Sequence, residues 1–417
     1  MITARTMYKL SIIVSTISYG SYMCSMGLTS LHDIPLKPPY HCESLFQCSA
    51  LGQAGISTRT YDSEKHCNNA LRIWNSDQNI LAMANGNPND PLLLELAALL
   101  TTFKDDGVEG RIIPTGKLDL RYSFSFATRF IFNHGLSLGF YLPVYSMRLS
   151  NVSWCYDSEL NPNNEAFKTE IVDNLATIVN KYGRGLSIEG WHRTGLGDGV
   201  LLLEWLENFK QAKPFLKNVQ LNARIGLSLP TGLKQDDDKI FALPFGHDGA
   251  TGLIFGGSIE LTLGDYMYAG VDVELLHLFG NSRYRRVKTD HSQTDLLLLQ
   301  KACAYKDWGL TQQFNLYIGF EEFCKGLSCR LNYQYLKHGD DKIAVDFPYH
   351  SNRIANTAVS LQEWTAHTFV GKIGYDFGCH LPEASARPSL WLYGKIPFNG
   401  QRSALFSAVG LIFSCEF

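Results

Sequence analysis

Residues Asn218 to Pro230, NVQLNARIGLSLP, set Val219, Leu221, Ala223, Ile225, Leu227 and Leu229 against Asn218, Gln220, Asn222, Arg224, Gly226 and Ser228. A period of two over that length is a strand with one apolar and one polar face. The pattern recurs from Leu118 to Phe132, where Leu118, Leu120, Tyr122, Phe124, Phe126, Phe130 and Phe132 alternate with Asp119, Arg121, Ser123, Ser125 and Arg129. Leu310 to Phe320 and Leu327 to Tyr335 repeat it, and Leu405, Val409, Leu411, Phe413, Cys415 and Phe417 share one side at the end of the chain. Runs this long exceed the five or so residues usual in soluble strands. They suit a tilted membrane strand, which needs roughly nine to eleven residues in hydrocarbon plus its ends.

Composition restricts the class further. An apolar share of 45% in 417 residues excludes a disordered polymer. A formal charge of -3 argues against a nucleic-acid partner, which calls for a basic surplus. Twenty Tyr, 24 Phe and 36 Gly with only 18% charged residues lean toward β structure. No apolar run reaches the roughly eighteen residues of a membrane helix.

Strands read near 46–60, 111–132, 134–150, 194–207, 216–230, 250–264, 266–282, 306–321, 325–338, 361–377, 386–398 and 402–417. Asn133, Gly264-Asp265 and the residues around Cys324 are tight turns, whereas 61–110, 151–193, 231–249, 281–307 and 339–360 are long; Phe398 to Gln401 alone is short on the long side. Outer-membrane barrels alternate short periplasmic turns with long external loops, and an even strand number returns both termini to the periplasm. The expected fold is all-β, an antiparallel transmembrane β-barrel of about twelve strands (ten or fourteen being the neighbouring counts) with short helices in external loops. A soluble sandwich shares the alternation with its apolar rows turned inward. Strand length, loop rhythm and the terminal Phe417 decide for the barrel, with apolar rows facing lipid and polar rows facing a lumen.

Residues 1–27 read as a signal peptide, because in MYKLSIIVSTISYGSYMCSMG, Met7 to Gly27, Lys9 precedes an apolar core around Leu10 to Tyr22 and small residues follow. A buried first strand is the other reading of that composition, and Ser-Tyr-Met before Cys24 matches a lipoprotein signal poorly. Residues 28–417 then form one barrel domain. Ten cysteines are too sparse for a disulfide scaffold, yet an oxidising compartment permits a few bridges, with Cys42, Cys48 and Cys67 as the candidates. Cys324 and Cys329 lack histidines at zinc-finger spacing, so neither a metal site nor a cofactor is expected.

Two motifs carry a family resemblance. TGLGD at Thr194 to Asp198 opens one strand, and RIGLSLPTG at Arg224 to Gly232 closes the next. Over residues 110–417 the chain resembles the outer-membrane transporters of aromatic-compound (meta-pathway) degradation, relatives of the long-chain fatty-acid channel. That resemblance implies passive passage of small, often hydrophobic solutes. The architectural reading of the same motifs is that Gly195 and Gly197 thin the wall where strands curve while Pro230 and Gly232 end a strand in a turn. The aromatic C-terminus resembles the assembly signal of outer-membrane barrels, with Phe413, Cys415 and Phe417 at its alternate positions and Gly410 two residues out of the usual place. The partners so implied are outer-membrane lipid, the barrel-assembly machinery and small solutes.

The polar rows supply Asp119, Arg121, Arg129, Arg224, Glu260, Asp272, Glu274, Glu321, Arg330, Lys372, Asp376 and Lys395 as lumen-facing candidates. In a water-filled bore such charges set ion preference, or they neutralise one another and stiffen the wall. NDPLLLELAALLTTF, Asn89 to Phe103, reads as a buried helix with Asp90 as cap and Pro91 at its first position. Asn164 to Tyr182 puts Phe167, Ile171, Leu175, Ile178, Val179 and Tyr182 on one stripe and stops at Gly183. Either helix can constrict the bore or cap its mouth. The acidic run Lys234 to Lys239 reads as a solvated loop tip or a divalent-cation site. PYHSNR, Pro348 to Arg353, faintly resembles the His-x-Ser element of outer-membrane phospholipase, with His350 as base and Ser351 as nucleophile, but the two abut and no Gly follows Asn352. A lipid-hydrolysing barrel and a structural or adhesive surface barrel are thus the alternatives to a channel, and no catalytic residue is assigned.

Overall fold

The structure is a computed structural model that describes residues 45–57, 59–103, 110–156, 165–346, 351–380 and 386–417. The signal-peptide reading, Cys24, Cys42 and His350 fall outside the described residues.

Twelve antiparallel strands close into a ring. They are β1 (Phe46–Ser57), β2 (Arg111–Ile131), β3 (Leu136–Tyr156), β4 (Trp191–Leu196 and Gly199–Lys210), β5 (Leu216–Leu229), β6 (Gly252–Leu263), β7 (Met267–Leu278), β8 (Thr311–Cys324), β9 (Leu327–His338), β10 (Trp364–Asp376), β11 (Arg387–Gln401) and β12 (Ser407–Glu416). Each pairs with its sequence neighbours around the barrel, and β12 returns to β1 in register from Gln47↔Glu416 to Ile56↔Ser407. Leu45 N donates to Phe417 O at 2.9 Å, so both ends of the described chain meet at the rim that carries the short turns. Closure leaves no unpaired sheet edge, the condition for crossing hydrocarbon with strands.

The alternation points as the sequence indicates. On β2, Phe126 is 56% exposed while its neighbour Ser125 is 1% exposed, and Phe124 and Phe130 repeat the outward row. Ile225, Leu227, Ile259, Leu316, Ile318, Leu331, Phe369, Leu392, Leu411 and Phe413 continue an apolar outer surface around the ring. Full burial of such a side chain is worth roughly 1.5–3 kcal/mol and these stand about half exposed, so a belt of this extent belongs against acyl chains. The chain is an outer-membrane barrel.

Three departures from simple alternation matter. Arg121 is an extra residue on β2, since Leu120 pairs with Met147 and Tyr122 with Ser146. This bulge flips the phase, turning Leu118 and Leu120 inward above it. The second departure is the break in β4 at Gly197 and Asp198. The third is Leu405, which precedes β12 and is fully buried in the external core, not on the lipid face.

Long loops form that core over the external mouth. Helix α1 (Pro91–Leu100) starts as the sequence requires, with Asp90 Oδ1 accepting from Leu92 N at 3.1 Å and Leu93 N at 3.4 Å. It buries one stripe, Leu93, Leu96 and Leu100, and exposes Leu94 and Leu99, so it is half-buried and not buried all round. The 164–182 segment breaks into a turn of helix at Glu165–Phe167, a π-turn at Lys168–Val172 and α2 (Leu175–Tyr182), ending at Gly183. Phe167, Ile171, Leu175, Val179 and Tyr182 form its buried stripe. The two helices are clasped by Lys181 and Tyr182, which donate to Glu95 Oε1 at 3.1 and 2.7 Å. Neither helix contributes a residue to the lining of the cavity inside the barrel. Two small sheets, Asn281–Arg286 with Lys301–Asp307 and Lys342–Val345, and Arg59–Tyr61 with Cys67–Asn69 and Ser403–Ala404, complete the loop layer.

A Cys48–Cys67 bridge is excluded. Cys48 lies near the short-turn rim and Cys67 in an external sheet, separated by the length of β1, about 30 Å at 3.3 Å per residue.

Candidate functional site

Inward side chains divide the lumen into two levels. The lower level is polar and crowded. Arg224 on β5 reaches over β6 to β7, where it donates to Asp272 at 2.6 and 3.0 Å and to Glu274 at 2.8 Å. The crossing requires Gly256, which pairs with both Arg224 and Glu274 and whose added Cβ would stand 2.7 Å from Arg224 Nε. Asn315 donates to Asp272 at 3.0 Å and Asn332 to Asn315 at 3.3 Å, extending the network onto β8 and β9. On the other side Arg129 meets Glu204 at 2.9 Å, Gln47 at 3.3 Å and Tyr141 at 3.4 Å. Arg330 lies 3.6 Å over the Tyr317 ring. Charges buried this deeply persist only when paired or hydrogen-bonded.

Of the sequence-selected residues, Arg129, Arg224, Asp272, Glu274, Arg330, Lys372 and Lys395 lie on the inward face at this level, nearly all buried. Glu260 and Glu321 share that phase nearer the short-turn rim and are half-buried. Asp376 is half-buried there too, its Oδ1 accepting from Gly378 N at 2.7 Å in the turn. Asp119 and Arg121 do not face the lumen: the bulge at Arg121 turns Asp119 outward, where it meets Lys117 at 3.1 Å, and leaves Arg121 exposed. Phe413, Cys415 and Phe417 share the outward phase of the closing strand.

Above this layer is a chamber of about 390 Å³, a size suited to a small ligand. Its floor includes Glu274 and Gln313, and its barrel walls are Tyr145, Val200, Ile254, Leu276 and Leu278. The loops supply Phe241, Leu243, Phe245, Leu296 and Leu298 as a mostly apolar roof.

The two motifs meet beside this chamber. Asp198, 5% exposed at the β4 break, accepts from Gly232 N at 2.8 Å and His247 N at 2.5 Å, and lies 2.9 Å from His247 Nδ1. Thr231 Oγ1 accepts from Gly199 N at 2.8 Å and donates to Gly197 O at 3.0 Å. A Cβ on Gly197 would stand 2.6 Å from the Tyr145 ring and 2.7 Å from Phe245 O. TGLGD and PTG are thus one hydrogen-bonded joint that fixes the loop 241–248 against the wall.

Beside the joint is a polar pole. Asp248 pairs with Arg283 at 3.0 Å and with Arg285. Lys306 pairs with Asp341 at 2.7 Å and lies 3.7 Å over the Trp308 ring, while His338 Nε2 meets Asp341 at 2.9 Å. Burial pushes the Asp341 carboxyl up, but the His338 hydrogen bond and Lys306 together outweigh it and hold it below the usual range. The acidic run is neither a solvated tip nor a cation site: Asp236 pairs with Lys239, Asp237 with Arg283 at 2.9 Å, and Asp238 with Arg286 at 2.7 Å and Lys301 at 2.5 Å. No group that could hold a metal ion occurs among the described residues.

Sequence reasoning missed Glu204, His247, Asp248, Arg285, Lys306 and Asp341, and met Asp198 only as the end of the TGLGD motif. Glu204 alone had a local signal, lying between outward Leu203 and Trp205. The others sit at the strand break, on loops or, for Arg285 and Lys306, on short strands of the external sheet, too short for a period to assign a face.

No family model matches the chain, and no curated protein matches its sequence. Among solved structures, an outer membrane channel from Pseudomonas putida F1 superposes over 92% of this chain and 100% of its own with a TM-score of 0.51 at 12% identity. The toluene transporter of Ralstonia pickettii follows at a TM-score of 0.32, 9% identity and 90% of each chain. The outer membrane phospholipase of Salmonella typhi has a TM-score of 0.25 at 8% identity, over 91% of this chain and 94% of its own. The last two likenesses are too weak to bear on function. The resemblance read from the two motifs holds as a likeness of fold to an outer-membrane channel.

Proposed function

We propose that the chain is an outer-membrane channel that admits small, largely apolar solutes through the chamber. The observation that carries this reading is a chamber of about 390 Å³ with mostly apolar walls set directly above a charged layer in one lumen. A barrel with only structural duties has no need of an apolar cavity bordered by a few oriented polar groups. The channel in Pseudomonas putida F1, which shares the fold, points the same way. Passage down a concentration gradient needs no energy-coupling element, and the polar pole orients an amphipathic solute while the apolar walls hold its body. Ionic conductance is expected to be small, because paired side chains fill the lower lumen. The test is uptake of a radiolabelled small aromatic compound by lipopolysaccharide-containing vesicles with and without the purified protein. Faster uptake with the protein, together with low single-channel conductance in planar bilayers, supports the channel. Equal uptake rejects it.

A further inference from the structure

We infer that Cys48 and Cys415 form a disulfide that locks the closing seam of the barrel when the envelope is oxidising. The two residues are Cα partners where β1 meets β12. Both share the parity of the outward residues of their strands, Cys48 half-buried and Cys415 buried, and both are free thiols in the structure. Phe46 and Phe417 exchange both backbone hydrogen bonds, at 3.3 and 2.8 Å, so the pair two residues further in is again a hydrogen-bonded one. Such pairs have Cα atoms about 5.5 Å apart, within the Cα separation that a disulfide spans, and Cβ atoms also about 5.5 Å apart, so the bond draws the two strand ends together by roughly 1 Å at the rim. Among the described cysteines no other pair is in strand register: Cys67 faces Tyr61, Cys155 faces Ile113, Cys303 faces Tyr284, Cys324 faces Leu327, Cys329 stands between Phe320 and Ile373, and Cys379 lies in the turn Phe377–His380 outside the strands.

Position gives the bond its consequence. This seam joins first strand to last, and it is the pairing that turns an open sheet into a barrel. A bond there closes the chain into a covalent loop of nearly its full length. The seam cysteines lie within a few residues of the short-turn rim, the periplasmic side.

The oxidant is a small-molecule or protein disulfide of the envelope. The thiolate of Cys48, the more exposed of the two, attacks it to form a mixed disulfide and releases one oxidant thiol. Cys415, deprotonated, then attacks the Cys48 sulfur, forms the Sγ–Sγ bond and expels the second thiol. The protein loses two protons and two electrons, and the oxidant disulfide is reduced to two thiols.

The folded full chain, purified from membranes without reductant, is incubated with oxidised glutathione, alkylated, digested and examined by mass spectrometry. The expected result is one cross-linked peptide joining Cys48 to Cys415, and a boiled, non-reduced band that migrates faster than the reduced one. Cys415→Ser and Cys48→Ser should each lose both signals. Full alkylation of both thiols after oxidation, glutathione retained on a single cysteine, or a fast band that persists in Cys415→Ser would each overturn the inference. The cross-link map on the unaltered protein stands independently of how the variants fold.

Discussion

The chamber and the charged layer are lined by the same strands, yet they obey opposite rules. On β7 one inward row reads Asp272, Glu274, Leu276 and Leu278 from lower to upper level. On β4 it reads Glu204, Leu202 and Val200, and on β9 it passes from Arg330, Asn332 and Gln334 to Leu336. The polarity of an inward face therefore changes with height. In the lower layer, charges satisfy one another across neighbouring strands, and glycines such as Gly256 provide the room. In the chamber, loops folded down from the mouth meet apolar wall residues, with charge at the floor, at Asp198 and at the pole around Asp248 and Asp341. A charged layer of paired side chains and a largely apolar recess are built in series.

The largest effect that separates the two regions is expected from Arg224→Ala. It strands Asp272 and Glu274 in a buried layer, at a cost of about 3–5 kcal/mol, read as a lower temperature for loss of the heat-modifiable folded band on electrophoresis. Arg224→Ala combined with Asp272→Asn and Glu274→Gln should recover part of that loss. If the single variant is as stable as the parent, the layer is solvated and the contrast fails.

Asp198→Ala is next, at about 2–3 kcal/mol, because two buried backbone N–H groups lose a charged acceptor. Faster amide exchange at Gly232 and His247, with unchanged exchange in β10 and β11, is the expected signature of a local joint.

Leu276→Trp tests the chamber without touching a charge. Overfilling costs about 1–3 kcal/mol of solute binding, a loss of roughly five- to 150-fold, and should slow uptake of an aromatic solute while leaving the low ionic conductance as it was. An equal drop in both readouts would merge the two regions into one pathway.

The smallest effect is a pH dependence at the polar pole. The folded carboxyl of Asp341 is held low, so its stabilisation is present above the ordinary carboxylate range, about pH 4, and fades as pH falls through the lowered value. Asp341→Asn should flatten the acid limb of the melting curve.

Much of this fold was legible because lipid imposes a strict period. The twelve strands, their outward rows and the short-turn rim follow from alternation and loop length, and α1 from Asp90 and Pro91. The site was legible only below the chamber. Arg224, Asp272 and Glu274 lie within unbroken alternation, whereas a single extra residue, Arg121, reversed the reading of Asp119. Asp198 and His247 are 49 residues apart and meet because a strand breaks, which no period encodes. The acidic run was misread for the same reason: its partners Arg283, Arg286 and Lys301 come from another loop. Leu94 and Leu99 show the converse, since a helix that is apolar all round in sequence can rest one face on a core and leave the other uncovered.

The most direct test of the central claim is bromine anomalous scattering from crystals of the protein soaked in bromobenzene. The account places a bromine peak inside the chamber, among Phe245, Ile254 and Leu276. Bromine found only in the detergent belt, with the chamber empty at saturating concentration, would contradict it.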